Sequence, residues 1–148
     1  MNDSEPLPFQ TTLRVRDNCL CLHVRRAARA VARRYDDALR PVDLTNGQFS
    51  LLMALNRPQP PSIGSVSALL AMDRTTLTAN IKPLERRGLL TVLVDAADRR
   101  SRRMMLTAEG GKLLAAAMPL WEEAQIANER LVAGTGIDAL RTDLRALS

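Results

Sequence analysis

The segment DAADRRSRR, residues 95–103, concentrates four arginines beside two aspartates and one serine. It lies between two short apolar runs, TVLV before it and MMLT after it. An arginine guanidinium stays charged at physiological pH and donates paired hydrogen bonds to phosphates and base edges. Two apolar runs joined by a segment too charged to be buried are typical of a β-hairpin with a solvent-exposed tip. The pattern therefore predicts a hairpin whose tip binds a polyanion.

A second group of polar side chains lies on the helix predicted just before this hairpin, RTTLTANIKPLERR, residues 74–87. The helical repeat turns Leu77, Ile81 and Leu84 inward and leaves the polar residues on the other faces. Arginine, lysine, asparagine and threonine contact phosphates or base edges, and short side chains allow a helix to approach DNA closely. The candidate contact residues on this helix are Arg74, Thr75, Thr76, Thr78, Asn80 and Lys82.

The elements that must position these groups are mostly helices. Apolar residues recur every three or four positions from Asp17 to Arg40, which predicts an amphipathic helix with Asp17 as its N-cap. Pro41 is expected to stop this helix. Thr45 and Gln48 form the pattern of a capping box at the start of the next helix. The three shorter helices that follow are expected over residues 45–55, 62–70 and 73–87.

The remaining boundaries follow from caps and breakers. Ser62 is expected to cap the third helix, and Gly88 to end the fourth in a left-handed conformation. After the hairpin, Thr107 caps a long helix that runs to about Ala133. The residues expected on one face of the third helix are Ile63, Val66, Leu69 and Leu70. Those that mark a last helix are Ile137, Leu140, Leu144 and Leu147.

Composition and charge narrow the class of protein. The chain has 148 residues, 46% of them apolar, which suffices for one domain with a hydrophobic core. Its net charge of +5 is unevenly distributed, because residues 14–40 carry +5, residues 73–103 carry +4 and the remainder is acidic. Nearly all of the positive charge is arginine, which indicates a polyanion such as nucleic acid as the partner.

Other functional classes find little support in the sequence. It contains no Gly-rich phosphate loop, catalytic carboxylate pair or metal-spaced cluster, so we expect no enzymatic activity, cofactor or metal. No apolar run approaches the roughly 18 residues of a membrane span, and the first residues lack the basic and apolar regions of a signal peptide. We expect a cytoplasmic protein without membrane contact, in which Cys19 and Cys21 are thiols.

The segment LLAMDRTTLTANIKPLERRGLLTVLVDAADRRSRRMMLTAEGGKLL, residues 69–114, resembles the core of the MarR family of winged-helix bacterial transcription regulators. The family pattern is a leucine-rich helix, a short turn, a sequence similar to DRSTVTRLVDRLEKRGLV, and then D-x-x-D-R-R-S-x-x-x-x-L-T-x-x-G. Residues 62–111 match this pattern closely, and the flanking helices agree with it in number and order.

The resemblance implies a mainly α fold with a small β-hairpin wing, that is, a winged helix-turn-helix plus a helical dimerisation region. Residues 1–148 would form a single domain, with about 14–40 and 107–148 in the dimerisation region and about 45–106 in the DNA-binding region. It implies a homodimer on a pseudo-palindromic operator in double-stranded DNA, with recognition helices about one helical turn apart. The expected function is transcriptional regulation, as a repressor that a small aromatic or phenolic ligand releases.

The resemblance also assigns roles within the hairpin. Asp98 and Arg100 match a pair in which the carboxylate orients an arginine that enters the DNA minor groove. A surface ion pair that only stabilises the hairpin is the alternative for these two residues. The expected DNA-binding residues of the hairpin are Asp98, Arg99, Arg100 and Arg102. The recognition helix departs from the family pattern at Ala79, Asn80 and Pro83. The base preference of the family therefore does not transfer to this chain.

Two further alternatives remain open. LCLHV, residues 20–24, resembles LCFAL in the organic-peroxide-sensing branch of the family, which places Cys21 on the reactive position of that branch. Tyr35 matches one tyrosine that bonds this cysteine, whereas Arg25 and Asn46 occupy the positions of the other two. The cysteines would otherwise be packing residues of an interface. The other alternative is a winged-helix protein-interaction module that does not bind DNA.

Overall fold

Across residues 6–132, 134 and 136–148, which the computed structural model describes, the chain forms seven α-helices and one β-hairpin. The helices are α1 (Phe9–Asn18), α2 (Leu20–Leu39), α3 (Asn46–Leu55), α4 (Ile63–Leu70), α5 (Arg74–Arg86), α6 (Ala108–Arg130) and α7 (Ile137–Ala146). The hairpin strands are β1 (Leu90–Val94) and β2 (Arg102–Leu106). The mainly α fold with a small hairpin is confirmed. The chain divides into two compact units, one ending at Arg33 and one covering Arg34–Ser148.

The N-terminal part contains a helix, α1, that the sequence did not predict. The backbone is extended at Cys19 (φ −71°, ψ 106°), and α2 begins at Leu20. The expectation that Asp17 caps the long helix is therefore wrong, because Asp17 lies inside α1. Its carboxylate accepts a hydrogen bond from the Arg16 guanidinium (Nε to Oδ1 2.6 Å) rather than from the first N–H groups of α2.

α2 ends one residue earlier than expected, at Leu39, which is completely buried. The chain then makes a short 3₁₀ turn at Arg40–Val42. Pro41 lies in this turn because it has no N–H to continue the α-helical hydrogen bonds. Asp43 follows in the left-handed conformation (φ 53°), and the chain turns into α3.

α3 begins with the predicted capping box. The Thr45 hydroxyl accepts from the Gln48 N–H (3.2 Å), and the Gln48 side chain accepts from the Thr45 N–H (3.1 Å). The Asp36 carboxylate accepts from the Asn46 N–H (2.7 Å) and further fixes this end of the helix. The buried residues of α3 are Phe49, Leu51, Leu52, Ala54 and Leu55. With half of its residues buried, α3 is the central helix and packs against α4, α5, α6 and β2.

α4 begins at its predicted cap, Ser62, whose hydroxyl accepts from a backbone N–H one turn on (3.0 Å). Val66 is buried, whereas Leu69 is 61% exposed, so the expectation that Leu69 faces the core is wrong. Successive helical residues turn by about 100°, which places Leu69 roughly 90° from the centre of the face formed by Ile63, Val66 and Leu70.

α5 packs with the predicted face inward. Leu77 and Leu84 are fully buried and Ile81 nearly so. Burying one such side chain stabilises a fold by about 1.5–3 kcal/mol. These three contacts therefore determine the rotation of α5 and which of its side chains face solvent. Gly88 follows the helix with φ 69°, as expected of a residue that ends a helix in the left-handed region.

The hairpin and the long helix after it are confirmed. β1 and β2 pair antiparallel, with Leu90 opposite Leu106 and Val94 opposite Arg102. The Thr107 hydroxyl caps α6 by accepting a backbone hydrogen bond (3.0 Å). α6 ends at Arg130, and the expected end near Ala133 lies outside the described residues. Leu144 of α7 and Leu147, which follows the helix, are exposed apolar residues.

Candidate nucleic-acid interface

The turn between α4 and α5 fixes the N-terminal end of α5. Ala71 takes the left-handed conformation (φ 50°), and Asp73 caps the helix. The two Asp73 carboxylate oxygens accept from the N–H and the hydroxyl of Thr76, both at 2.8 Å. These hydrogen bonds, above all the one from the N–H, lower the pKa of the Asp73 carboxyl. The Thr76 hydroxyl proton is therefore already donated to Asp73, and Thr76 has no hydroxyl proton left to donate to an incoming anion.

Most of the candidate residues on α5 do face solvent. The exposed ones are Arg74, Thr75, Thr76, Thr78 and Lys82. Asn80 differs from them, because it is half-buried and its amide donates to the Thr76 carbonyl (2.9 Å). Its amide oxygen lies so near α3 that a Cβ atom added at Gly47 would be 3.5 Å away. The expectation that Asn80 lies on a free face is therefore wrong, and the free face consists of two cations and short hydroxyl side chains.

Hydrogen bonds within the backbone order the tip of the hairpin, residues 95–101. The Asp95 N–H donates to the Ser101 carbonyl (3.2 Å), and the Ser101 N–H donates to the Asp98 carbonyl (2.9 Å). Arg99, Arg100 and Arg102 are exposed around this turn. Arg102 also donates to the carbonyl oxygens of Arg99 (2.9 Å) and Ser101 (3.2 Å), so part of its hydrogen-bonding capacity holds the turn.

Asp98 orders the tip in a different way from the one expected. Its carboxylate accepts from the Arg100 backbone N–H (3.0 Å), and the ion pairs found among the described residues do not join it to the Arg100 guanidinium. The described residues therefore show no ion pair between the Asp98 and Arg100 side chains, and the orienting role of Asp98 on DNA stays a prediction. Asp98 instead shapes the backbone from which Arg100 projects, an Asx-type turn typical of this residue. The Arg100 side chain is left exposed.

The sequence analysis missed the Asp95–Arg103 pair at the base of the tip. Among the described residues, Asp95 is the one charged side chain that is buried, at 7% exposure. Its carboxylate accepts from the Ala97 N–H (2.8 Å) and from the Arg103 guanidinium. The Ala97 N–H first, and then Arg103, lower the pKa of the Asp95 carboxyl. The available signal was an aspartate at the end of a strand, two residues before the N–H that it binds.

Comparison with known proteins identifies the family. Residues 42–101 match the family model described as MarR family. The M. tuberculosis transcriptional regulator MosR, solved in complex with DNA, is 37% identical and has a TM-score of 0.77, over 88% of this chain and 93% of that chain. The chain belongs to the MarR family.

Other MarR-family similarities agree with this assignment. The transcriptional repressor CouR, solved with a 23-mer DNA duplex, is 30% identical, with a TM-score of 0.70 over 86% of this chain and 89% of that chain. The transcriptional regulator HosA of Escherichia coli O157:H7 is 38% identical over 79 residues, 53% of this chain. The matched part spans 58% of HosA, little more than half of that curated relative.

A cavity of about 460 Å³ opens between α3, α4 and α6 of this MarR-family chain. Phe49 and Trp121 line it and are stacked, with ring centroids 6.2 Å apart and an angle of 17° between the planes. Met53 and the exposed Leu69 add apolar surface to the lining. Arg57 is the one charged residue in the lining. Such a lining suits a flat apolar molecule that carries a negative group.

The cysteines lie near the start of α2. Both are free thiols, with Cys19 half-buried and Cys21 exposed. The Cys19 N–H donates to the Val15 carbonyl of α1 (2.9 Å), and the Cys19 carbonyl accepts from the His23 N–H of α2 (3.2 Å). The Tyr35 hydroxyl donates to the Gln125 side chain, and burial raises its pKa. Tyr35 thus already has a partner on α6 in this MarR-family chain.

No three His, Cys, Asp or Glu side chains in the described part of the chain are grouped so that they could hold a metal ion. None of the described helices combines the length and the hydropathy needed to cross a bilayer.

Proposed function

We propose that this chain is a sequence-specific DNA-binding transcriptional regulator of the MarR family that acts by binding rather than by catalysis, in the cytoplasm. The observation that carries the proposal is the pairing of two exposed elements, the polar face of α5 and the arginine tip of the hairpin. Both are presented by a buried core of Leu77, Leu84 and Met104. The DNA-bound structure of MosR, at 37% identity, supports the same use of this fold.

In the proposed complex α5 enters the major groove, which has the right width for one helix. Thr75 and Thr78 lie on its exposed face, where their hydroxyls reach base edges or phosphates and their methyl groups can meet thymine. Arg74 and Lys82 add cations to the same face. The hairpin wing then places Arg100 in the adjacent minor groove, where a narrow groove concentrates negative potential.

The regulator is proposed to act as a homodimer. Exposed apolar residues occur near the ends of the last two helices: Ile126 on α6, Leu131 just after it, Leu144 on α7 and Leu147 just after it. A second copy would cover such surfaces, since helical dimerisation regions of this family lie at the two ends of the chain. Two-fold symmetry then requires a pseudo-palindromic operator whose half-sites are about 34–36 Å apart. Bound over a promoter, such a dimer represses transcription.

The test of DNA binding is its dependence on salt, measured by fluorescence anisotropy on duplexes that the protein selects from a random library. Each phosphate contact adds about −0.9 to the slope of log affinity against log salt, so we expect a slope of about −4 or steeper. A scrambled duplex is the control for sequence specificity. The rival hypothesis, a winged-helix module that binds only proteins, predicts no selected sequence. Failure to enrich any sequence would refute our proposal.

We further propose that an aromatic or phenolic acid in the α3–α4–α6 cavity releases the DNA. The acid would pack against Trp121 and pair with Arg57, and a ligand shifts the equilibrium only if it binds the DNA-free state more tightly. Trp121 is the single tryptophan, so its fluorescence reports occupancy directly. Benzoate should quench it saturably, Arg57→Gln should weaken benzoate but not the neutral benzamide, and absence of a saturable response would refute the site.

A further inference from the structure

The base of the wing is joined to the loop before α4 at two points. The Arg103 guanidinium donates to the Pro60 carbonyl (2.8 Å), and the Met104 N–H donates to the Pro61 carbonyl (3.0 Å). The second of these bonds belongs to an isolated antiparallel bridge between Ser62 and Arg103. Prolines fix the backbone angle φ, so this loop is a stiff anchor. These bonds attach one short stretch of β2 to the loop before α4.

The buried carboxylate of Asp95 connects that attachment to the arginine tip. One oxygen accepts from the N–H groups of Ala97 (2.8 Å) and Asp98 (3.4 Å), which begin the tip. The other oxygen accepts from Nε of Arg103, whose Nη1 reaches Pro60. A guanidinium can hold two acceptors in fixed directions, whereas an ammonium group cannot. The chain of contacts therefore runs from the loop through Arg103 and Asp95 to the residues that carry Arg99 and Arg100.

We propose that Asp95 and Arg103 are positioning residues that aim the arginine tip at the minor groove without contacting DNA themselves. This inference rests on the proposed function and deepens it, because it assigns the orientation of the minor-groove arginines to buried Asp95 and exposed Arg103, which are not themselves proposed to contact DNA. Ordinary electrostatics predicts the opposite effect for Asp95→Asn, since removal of a negative charge strengthens binding to a polyanion. The sign of the change therefore separates the two explanations.

The experiment is a cycle of protein and DNA changes. Wild type and Asp95→Asn are titrated against the selected duplex and against the same duplex shortened to its two major-groove half-sites. We expect shortening to weaken the wild type about tenfold or more, the size of one lost arginine contact, and to weaken the variant by less than about threefold. The shortened duplex should bind both proteins equally.

Two further variants keep the test decisive. Arg103→Lys retains the charge but loses the two-acceptor geometry, so it should reproduce the effect of Asp95→Asn even if that variant is poorly folded. Asp37→Asn removes a carboxylate from an exposed ion pair with Arg40 and is the matched control for charge. Asp37→Asn should lose as much affinity as the wild type when the duplex is shortened. Circular dichroism and thermal unfolding establish that each variant is folded.

The outcomes separate this inference from the proposed function. An equal loss of affinity of Asp95→Asn on both duplexes would show a general structural role and overturn the positioning role alone. Tighter binding of the variant to the long duplex would overturn it in favour of simple electrostatics. A wild type that selects no DNA sequence would overturn the proposed function itself. A wild type indifferent to shortening would remove the wing from the DNA contact and this inference with it.

Discussion

Gly110→Ala offers a sharp test of how α6 is attached to the rest of the fold. Gly110 lies in the first turn of α6, where its N–H donates to the capping hydroxyl of Thr107 (3.0 Å). Helix propensity alone predicts that alanine stabilises this position by about 1 kcal/mol. The structure predicts the opposite. A Cβ atom at Gly110 would lie 2.0 Å from the Leu89 carbonyl oxygen and 2.8 Å from Cδ1 of Leu106.

The magnitude follows from which atoms must move. Cβ atoms essentially never approach another heavy atom within 3.0 Å, so the start of α6 and the Leu89 backbone must separate by about 1 Å. Overpacking costs about 1–3 kcal/mol, and a clash with backbone belongs at the upper end of that range. After the gain in helix propensity, we expect a net destabilisation of about 2 kcal/mol. For a chain of this length that lowers Tm by about 4–8 °C.

Gly111→Ala is the matched control, because a Cβ atom there meets nothing within 4 Å and the position is helical. This variant should be stabilised by up to about 1 kcal/mol. Urea unfolding of wild type and both variants, followed by circular dichroism at one protein concentration, measures the difference. A Gly110→Ala protein as stable as the wild type would refute the packing of α6 against Leu89 that the structure shows.

Three other predictions concern single groups. Arg100→Ala should cost about 1–3 kcal/mol of operator affinity and leave the dimer intact in sedimentation, whereas unchanged affinity would exclude the wing tip from binding. Peroxide should release DNA from the wild type but not from Cys21→Ser if Cys21 is a sensor thiol, and equal release or none from both would exclude that role. Folding lowers the pKa of the Asp95 carboxyl, so its ionised form stabilises the fold. This contribution is fully present above the unfolded pKa of about 3.9 and is lost as the pH falls through the lower pKa of the folded state. Asp95→Asn should therefore flatten the acid limb of a plot of unfolding free energy against pH, and an unchanged limb would contradict the reasoning.

The parts of the fold that local chemistry determines were predictable from the sequence. Thr45, Ser62 and Thr107 each cap a helix as predicted, since an N-cap depends only on its own side chain and the next three residues. The hairpin followed from two apolar runs with a charged connection. Asp17 shows the limit of the same reasoning. The pattern predicted that its carboxylate caps a helix, but this carboxylate accepts from the adjacent Arg16 guanidinium instead.

The candidate site was predictable only in its residue types. Asn80 belongs to a type that reads bases, yet close packing of α5 against Gly47 of α3 turns it toward the protein. Helical periodicity resolves faces only to within a fraction of a turn, and Asn80 lies at the border between the two faces of α5. The prediction for Leu69 was wrong in the opposite sense. This apolar residue lies at a similar border on α4 and was expected in the core, but it is exposed. Whether a side chain at the edge of an apolar stripe is buried depends on the neighbouring helix. One sequence does not show where that helix lies.

The arginines of the hairpin illustrate why charge alone does not assign function. Arg102 donates to two carbonyl oxygens of the tip, and Arg103 donates to Asp95 and to the loop before α4. Of the four arginines of the hairpin, only Arg99 and Arg100 are exposed and donate no side-chain hydrogen bond among the described contacts. An arginine that already donates to the protein has fewer of its five N–H donors left for a phosphate, so the two unengaged residues have the most to offer DNA. We expect Arg103, through Asp95, to hold Arg99 and Arg100 in place, so a substitution at Arg103 should change which DNA is bound rather than only how tightly.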